Sequence, residues 1–214
     1  MVPIALQLHI LNRYVASRLN NMPYHFDLDS IHQKMFVLQM LNCGSENYCS
    51  EYALTDEEET DKDFGWYHYF GHLKSLVSQI LIEASISCRI LTDILKKYSN
   101  DSDNKELNVE KWLREAVDKT SIGEVSRGSV TLSLRESFNK LIHATEISLC
   151  YDQQINTEDH LYKFWTGSVE LEGHHNGEDW SISIEIMNWT RAVQRFLAIV
   201  EKQVDMYHLY KYDS

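Results

Sequence analysis

The chain has 214 residues, 43% of them hydrophobic, and a formal net charge of −12. That length suits one domain with additions and a sizeable core. The acidic balance disfavours broad adhesion to nucleic-acid phosphates, which Lys and Arg drive, though it leaves room for a local basic pocket. With 2 Pro and 8 Gly, helices are favoured over a turn-rich sandwich. Cys43, Cys49, Cys88 and Cys150 have no metal-ligand spacing. Without a secretory signal they read as reduced thiols of a cytoplasmic protein. The apolar opening MVPIALQLHIL lacks a basic start, and no run approaches a membrane span.

In chain order, Leu6, Ile10, Leu11, Tyr14, Val15 and Leu19 recur at helical spacing, and Asn20-Asn21-Met22-Pro23 ends that element. A second short helix is predicted over 30–41, capped by Asp29 or Ser30 and stopped at Asn42-Cys43-Gly44-Ser45. Residues 45–66 are expected as a loop, because the acidic run from Thr55 to Asp63 repels itself. A long helix follows over 67–98, with Leu73, Leu76, Val77, Ile80, Ala84, Leu91, Ile94 and Leu95 as its apolar row. Such a helix suits the spine of a bundle. Arg89 and Asp93 are i,i+4 neighbours on it. Asn108 caps a short helix to Lys119, and residues 121–128 are expected to be irregular.

The segment Thr131 to Cys150 reads as one helix. Ser133-Leu134-Arg135-Glu136 fits the capping box, and Leu134, Phe138, Leu141, Thr145 and Leu149 form one stripe. Arg135, Asn139 and Glu146 form a second stripe, with His143 at its edge. Another helix start is predicted at Asn156-Thr157-Glu158-Asp159, running to Trp165. The period then changes to 2. Residues 168–172 and 179–186 alternate apolar and polar around the turn Gly173-His174-His175-Asn176-Gly177, which predicts a β-hairpin. A last helix is expected over 188–207.

The fold class expected is therefore mainly α: a helical bundle with one appended C-terminal β-hairpin. It is one domain, with N-terminal helices over 1–44, an acidic loop over 45–66, a core bundle over 67–150, the hairpin over 166–186 and a C-terminal helix over 188–209.

Phosphate loops and the α/β-hydrolase elbow have no matching motif. His68 and His72 have helix-face metal spacing but lack the glutamate of H-E-x-x-H. No metal and no cofactor is expected. Arg135, Asn139 and His143 remain. Histidine can move a proton near neutral pH, and arginine offers a fixed fork to phosphate oxygens. Metal-free RNA cleavage needs both functions.

The segment from Leu134 to Ala144, together with the long helix bearing Arg89 and Asp93, resembles the HEPN-domain family. That resemblance implies a helical, often dimeric bundle and, in many members, a metal-independent ribonuclease of toxin–antitoxin or phage-defence systems. Asn139 and His143 match the family's Asn and His. The hallmark arginine falls on Phe138, so Arg135 would have to act from one turn earlier. The resemblance implies Arg135, Asn139 and His143 as the catalytic set, with Arg89, Asp93 and Glu146 in support. It also implies a homodimer with RNA or a protein as partner; no membrane partner is expected, since no run approaches a membrane span. The alternative is a non-catalytic helical interaction protein. A third reading is a sensor binding a small ligand through the same residues.

Overall fold

The computed structural model describes residues 27–55, 66–101, 107–129, 131–175 and 177–204. The elements are α1 (Leu28–Glu51), α2 (Trp66–Asp101), α3 (Val109–Val117), β1 (Gly123–Arg127), α4 (Leu134–His143), β2 (Glu146–Ile155), β3 (Leu161–His175), β4 (Glu178–Glu185) and α5 (Ile186–Gln203). The expected helix over 6–19 and most of the acidic run lie outside the described residues.

The expected all-α bundle with an appended hairpin is overturned. The strands form one four-stranded antiparallel sheet in the order β1-β4-β3-β2. The hairpin is its centre, with β4 running from Glu178 and β3 running far back to Leu161. Residues expected in helices supply two of the strands. The helix predicted over 131–150 ends at His143, and Glu146 to Ile155 form β2. The helix predicted to reach Trp165 is instead the β2–β3 turn and the start of β3. Asn156 builds that turn by accepting from the backbone N–H groups of Glu158 and His160 at 3.0 and 2.9 Å. Residues 123–127, expected to be irregular, pair with β4 as an edge strand.

One face of the sheet is apolar and faces the core. Cross-strand register lines up Val125, Ile182, Leu171 and Ile147 in one row. A second row holds Ile184, Val169 and Leu149. Gly123 ends this row because a Cβ there would lie 2.0 Å from the Ser183 carbonyl oxygen. The helices supply the other half of the core.

α1 buries Leu28, Ile31, Met35, Leu38, Ser45 and Cys49, an alternating three-four spacing on one side. Asp27 caps it by accepting from the Ser30 N–H at 3.0 Å. α1 does not stop at Gly44, as expected, because tertiary packing outweighs the weak helix propensity of one glycine. Its C-terminal half lies against β3, where Ser45 Oγ accepts the Trp165 N–H at 3.0 Å. The Leu54 carbonyl likewise accepts the Lys163 N–H at 2.7 Å. These contacts cover the β3 edge that β4 is too short to reach, an edge that would otherwise invite pairing with another chain.

α5 leaves β4 without a loop and buries Trp189, Phe196, Leu197 and Val200. The Trp189 indole N–H donates to Ser137 Oγ at 2.9 Å in a fully buried contact between α5 and α4. α2 packs along α4 and α1. The 32-residue stretch His68–Ser99 of α2 is long and apolar enough to cross a membrane by length and composition, but 44% of its apolar window is buried inside the fold.

Candidate functional site

α4 positions the residues singled out from the sequence. Ser133 caps it as expected, its Oγ accepting the Glu136 N–H at 3.1 Å. Leu134, Phe138 and Leu141 face the core. That rotation aims Arg135 and Asn139 at α2. Arg135 Nη2 donates to Asp93 Oδ1 at 2.9 Å, and Arg89 Nε donates to Asp93 Oδ2 at 3.0 Å. Arg89 Nη1 also donates to the Asn139 amide oxygen. Asn139 Nδ2 in turn donates to Glu136 Oε2 at 3.0 Å. Four of the six expected residues, Arg89, Asp93, Arg135 and Asn139, therefore converge.

The other two do not join them. His143 is exposed at the last turn of α4. Eight helical residues beyond Arg135, it is displaced about 12 Å along the axis. Among the described residues no hydrogen bond or ion pair joins it to the cluster. Glu146 was expected on the same helical stripe as Arg135 and Asn139. It lies on β2 instead and accepts from Ser148 Oγ at 3.3 Å. Helical rise alone separates His143, whereas Glu146 leaves the stripe because the chain becomes extended at Ala144 (φ −62, ψ 133). Thr145 N–H then binds the Glu172 carbonyl at 2.8 Å.

Two guanidinium groups share the Asp93 carboxylate. Partial burial pushes its pKa up, but the hydrogen bonds and charges of Arg89 and Arg135 outweigh that and leave it below its ordinary 3.8. A depressed carboxylate stabilises the fold above the unfolded pKa, and the effect is lost as pH falls through the folded value. The Asp93 side chain is half exposed, so solvent screening limits its two ion pairs to on the order of 1 kcal/mol together. Urea midpoints are expected to show Asp93→Asn less stable than wild type at neutral pH, with the gap narrowing below pH 3.8. A gap that stays constant well below that pH would contradict the assignment. Arg135 Nη1 is buried and has no partner among the described residues.

Glu136 links this cluster to a cleft of about 350 Å³ on the far side of α4. The cleft is walled by Gly128, Ser129 and Thr131, by Glu136 and Lys140, and by the β3–β4 turn. Lys140 is 8% exposed. Its ammonium stands 4.2 Å from the Trp180 ring centroid and 3.7 Å from Glu136 Oε1. The sequence reading missed Lys140 and Trp180, which only the tertiary fold brings together. The i,i+4 pair Glu136–Lys140 was the one signal available. Three carboxylates, Glu136, Glu178 and Asp179, border this one lysine, so the cleft does not favour an anion.

The outer face of the sheet was not anticipated at all. Its side chains are Glu124 and Ser126 on β1, Ser181, Ser183 and Glu185 on β4, Ser168, Glu170 and Glu172 on β3, and Glu146, Ser148 and Cys150 on β2. Glu146 and Glu172 are directly opposed across the strands. The basic side chains at the rim, Arg127 and His174, are both bound to Asp179 at 2.9 Å. Among the described residues no Lys, Arg or His forms an ion pair with Glu124, Glu146, Glu170 or Glu172. Cys150 senses this field: burial raises its thiol pKa, and the charges of Glu170 and Glu185 raise it further.

No group of three or more His, Cys, Asp or Glu among the described residues could hold a metal ion. His68 and His72 stack with ring centroids 6.5 Å apart. The described residues thus form an α+β fold: helices cover one face of an antiparallel sheet, and the other face is acidic and covered by none of the described elements. Comparison with family models, curated proteins and solved structures finds no significant match to the chain.

Proposed function

We propose that the protein is a non-catalytic interaction module that docks a basic protein partner on the outer face of its sheet. The observation that carries this reading is the like-charge pair Glu146–Glu172, on a face that no described element covers and with no neutralising cation among the described residues. Like charges opposed across strands destabilise a sheet by some tenths of a kcal/mol. Retaining them fits a surface kept for binding rather than for stability. Acidic complementarity also speeds encounter with a basic partner. Arg135, Asn139, Arg89 and Asp93 bond one another and act as a lock between α2 and α4. We place the module in the cytoplasm, a reading supported by four free cysteines.

The ribonuclease reading keeps one favourable observation, the buried and unpartnered Nη1 of Arg135. Against it stand the position of His143 and an acidic face that repels phosphate.

The test uses fluorescence anisotropy with a labelled Lys/Arg-rich peptide and two triple variants of equal charge change. Glu146→Gln/Glu170→Gln/Glu172→Gln is expected to weaken binding tenfold or more. Asp29→Asn/Glu46→Gln/Glu51→Gln, on exposed α1 positions, is expected to leave it within twofold. Equal losses would reduce the effect to net charge and defeat the proposal. Cleavage of labelled RNA in EDTA, abolished by His143→Ala, would favour the enzyme instead.

A further inference from the structure

The two edge strands of the sheet differ. β1 has five residues, and its register with β4 breaks between Val125 and Arg127. β2 has ten residues and pairs on one side only, with β3. A strand at an edge turns half of its backbone N–H and C=O groups away from its single neighbour. Among the described residues, none of the backbone hydrogen bonds formed outside the strand pairings involves β2. Toward its end the strand occupies some of its own groups. The Cys150 carbonyl accepts from Thr166 Oγ1 at 3.1 Å, and the Gln153 N–H donates to the Asp152 carboxylate at 2.8 Å. The stretch from Glu146 to Leu149 has no such contact among the described residues.

The two faces of that stretch set what a further strand must carry. On the outer face Glu146 stands opposite Glu172, and Ser148 stands opposite Glu170. Between them Ile147 belongs to the inner row, in register with Leu171, and is half-buried. A strand laid beside β2 meets Glu146, Ile147 and Ser148 in turn. A Lys or Arg across from Glu146 lies within cross-strand reach of its carboxylate. A second one, two residues on, extends over the small Ser148 toward Glu170. The residue between them faces inward beside Ile147, so an apolar side chain fits there.

We propose that the basic partner binds by adding an extended segment, with basic and apolar residues in alternation, along Glu146 to Leu149 as a fifth strand of the four-stranded sheet. The inference rests on the docking reading given above and supplies its geometry. Main-chain hydrogen bonds to the open edge give affinity, and alternate side chains give specificity. A helix or a compact basic surface laid on the outer face would meet the same glutamates without using the edge.

Peptides separate the two claims. A labelled peptide alternating lysine and valine is titrated against the full chain by fluorescence anisotropy. Two further versions carry N-methyl groups, one on the lysines and one on the valines. Successive N–H groups of an extended strand point to opposite sides, so only one of these sets turns toward β2. One methylated peptide is expected to bind at least tenfold more weakly than the parent, and the other within threefold of it. A peptide of the same composition with its lysines and valines in separate blocks is also expected to lose tenfold. In the complex the amides of residues 146–149 are expected to exchange more slowly, with those of α5 unchanged. Equal effects of the two methylations, or binding by the block peptide as tight as by the alternating one, would overturn strand addition and leave docking on the face standing. Absence of binding by every one of these peptides would overturn the docking reading and this inference with it.

Discussion

Replacing Phe138 with alanine is expected to lower the unfolding free energy by about 3–5 kcal/mol, the range for a fully buried phenylalanine. Phe138 has no exposed surface. Its ring meets Trp189 edge-on, with centroids 6.1 Å apart at 82°. The neighbouring Ser137 holds the same tryptophan by its indole N–H. Deleting the ring opens a void where α4, α5 and the sheet meet, and the tryptophan cannot move to fill it without losing that bond. Phe138→Leu keeps most of the volume and is expected to cost about 1.5 kcal/mol or less. Urea denaturation of both variants checks the claim; a loss below about 1 kcal/mol for the alanine would contradict it. The position also bears on the HEPN resemblance, whose hallmark arginine would fall here. A guanidinium in this apolar site would be a buried charge without a partner.

Gly167→Val is expected to destabilise by about 2–4 kcal/mol, combining backbone strain with overpacking. Gly167 has φ +91, where a β-branched residue is strained. A Cβ there would lie 2.3 Å from the Asn42 amide nitrogen on α1. The glycine sits in the bulge at which Leu149 pairs with Val169 but Tyr151 pairs with Trp165. Residues 166–168 thus oppose Cys150 alone. The bulge turns β3 so that its free edge meets Ser45 and Leu54. Loss of stability should therefore come with faster amide exchange at Lys163 and Trp165, whose N–H groups depend on that contact. Normal stability, or loss without the local change, would show that the bulge does not seat α1.

Those two sites explain what the sequence did and did not disclose. α2, α3 and α5 were legible because their apolar residues keep helical spacing and face one partner layer. The cap at Ser133 was legible because its chemistry is local. β2 was not, because Thr145 and Leu149 continue the stripe of Leu134, Phe138 and Leu141 at helical spacing. Ile147, Leu149 and Tyr151 also alternate, and only pairing with β3 decides between the two periods. β1 offers a single inward apolar side chain, Val125, and owes its strand geometry to β4. The Arg89–Asp93 pair could be read from spacing. Its convergence with Arg135 and Asn139 was assumed from resemblance and does occur, but as a lock between helices. The acidic face was hidden because its glutamates come from β1, β2, β3 and β4, and no single segment looks unusual.

The opposition of Glu146 and Glu172 lies at the centre of the proposed docking face. One double-mutant cycle, Glu146→Gln and Glu172→Gln, read at low salt for both unfolding and peptide affinity, addresses it. Each single neutralisation should raise stability by about 0.2–1 kcal/mol while weakening the basic peptide, and the second neutralisation should stabilise less than the first. Variants that lose stability, or gain it with affinity unchanged, would contradict a surface kept for binding.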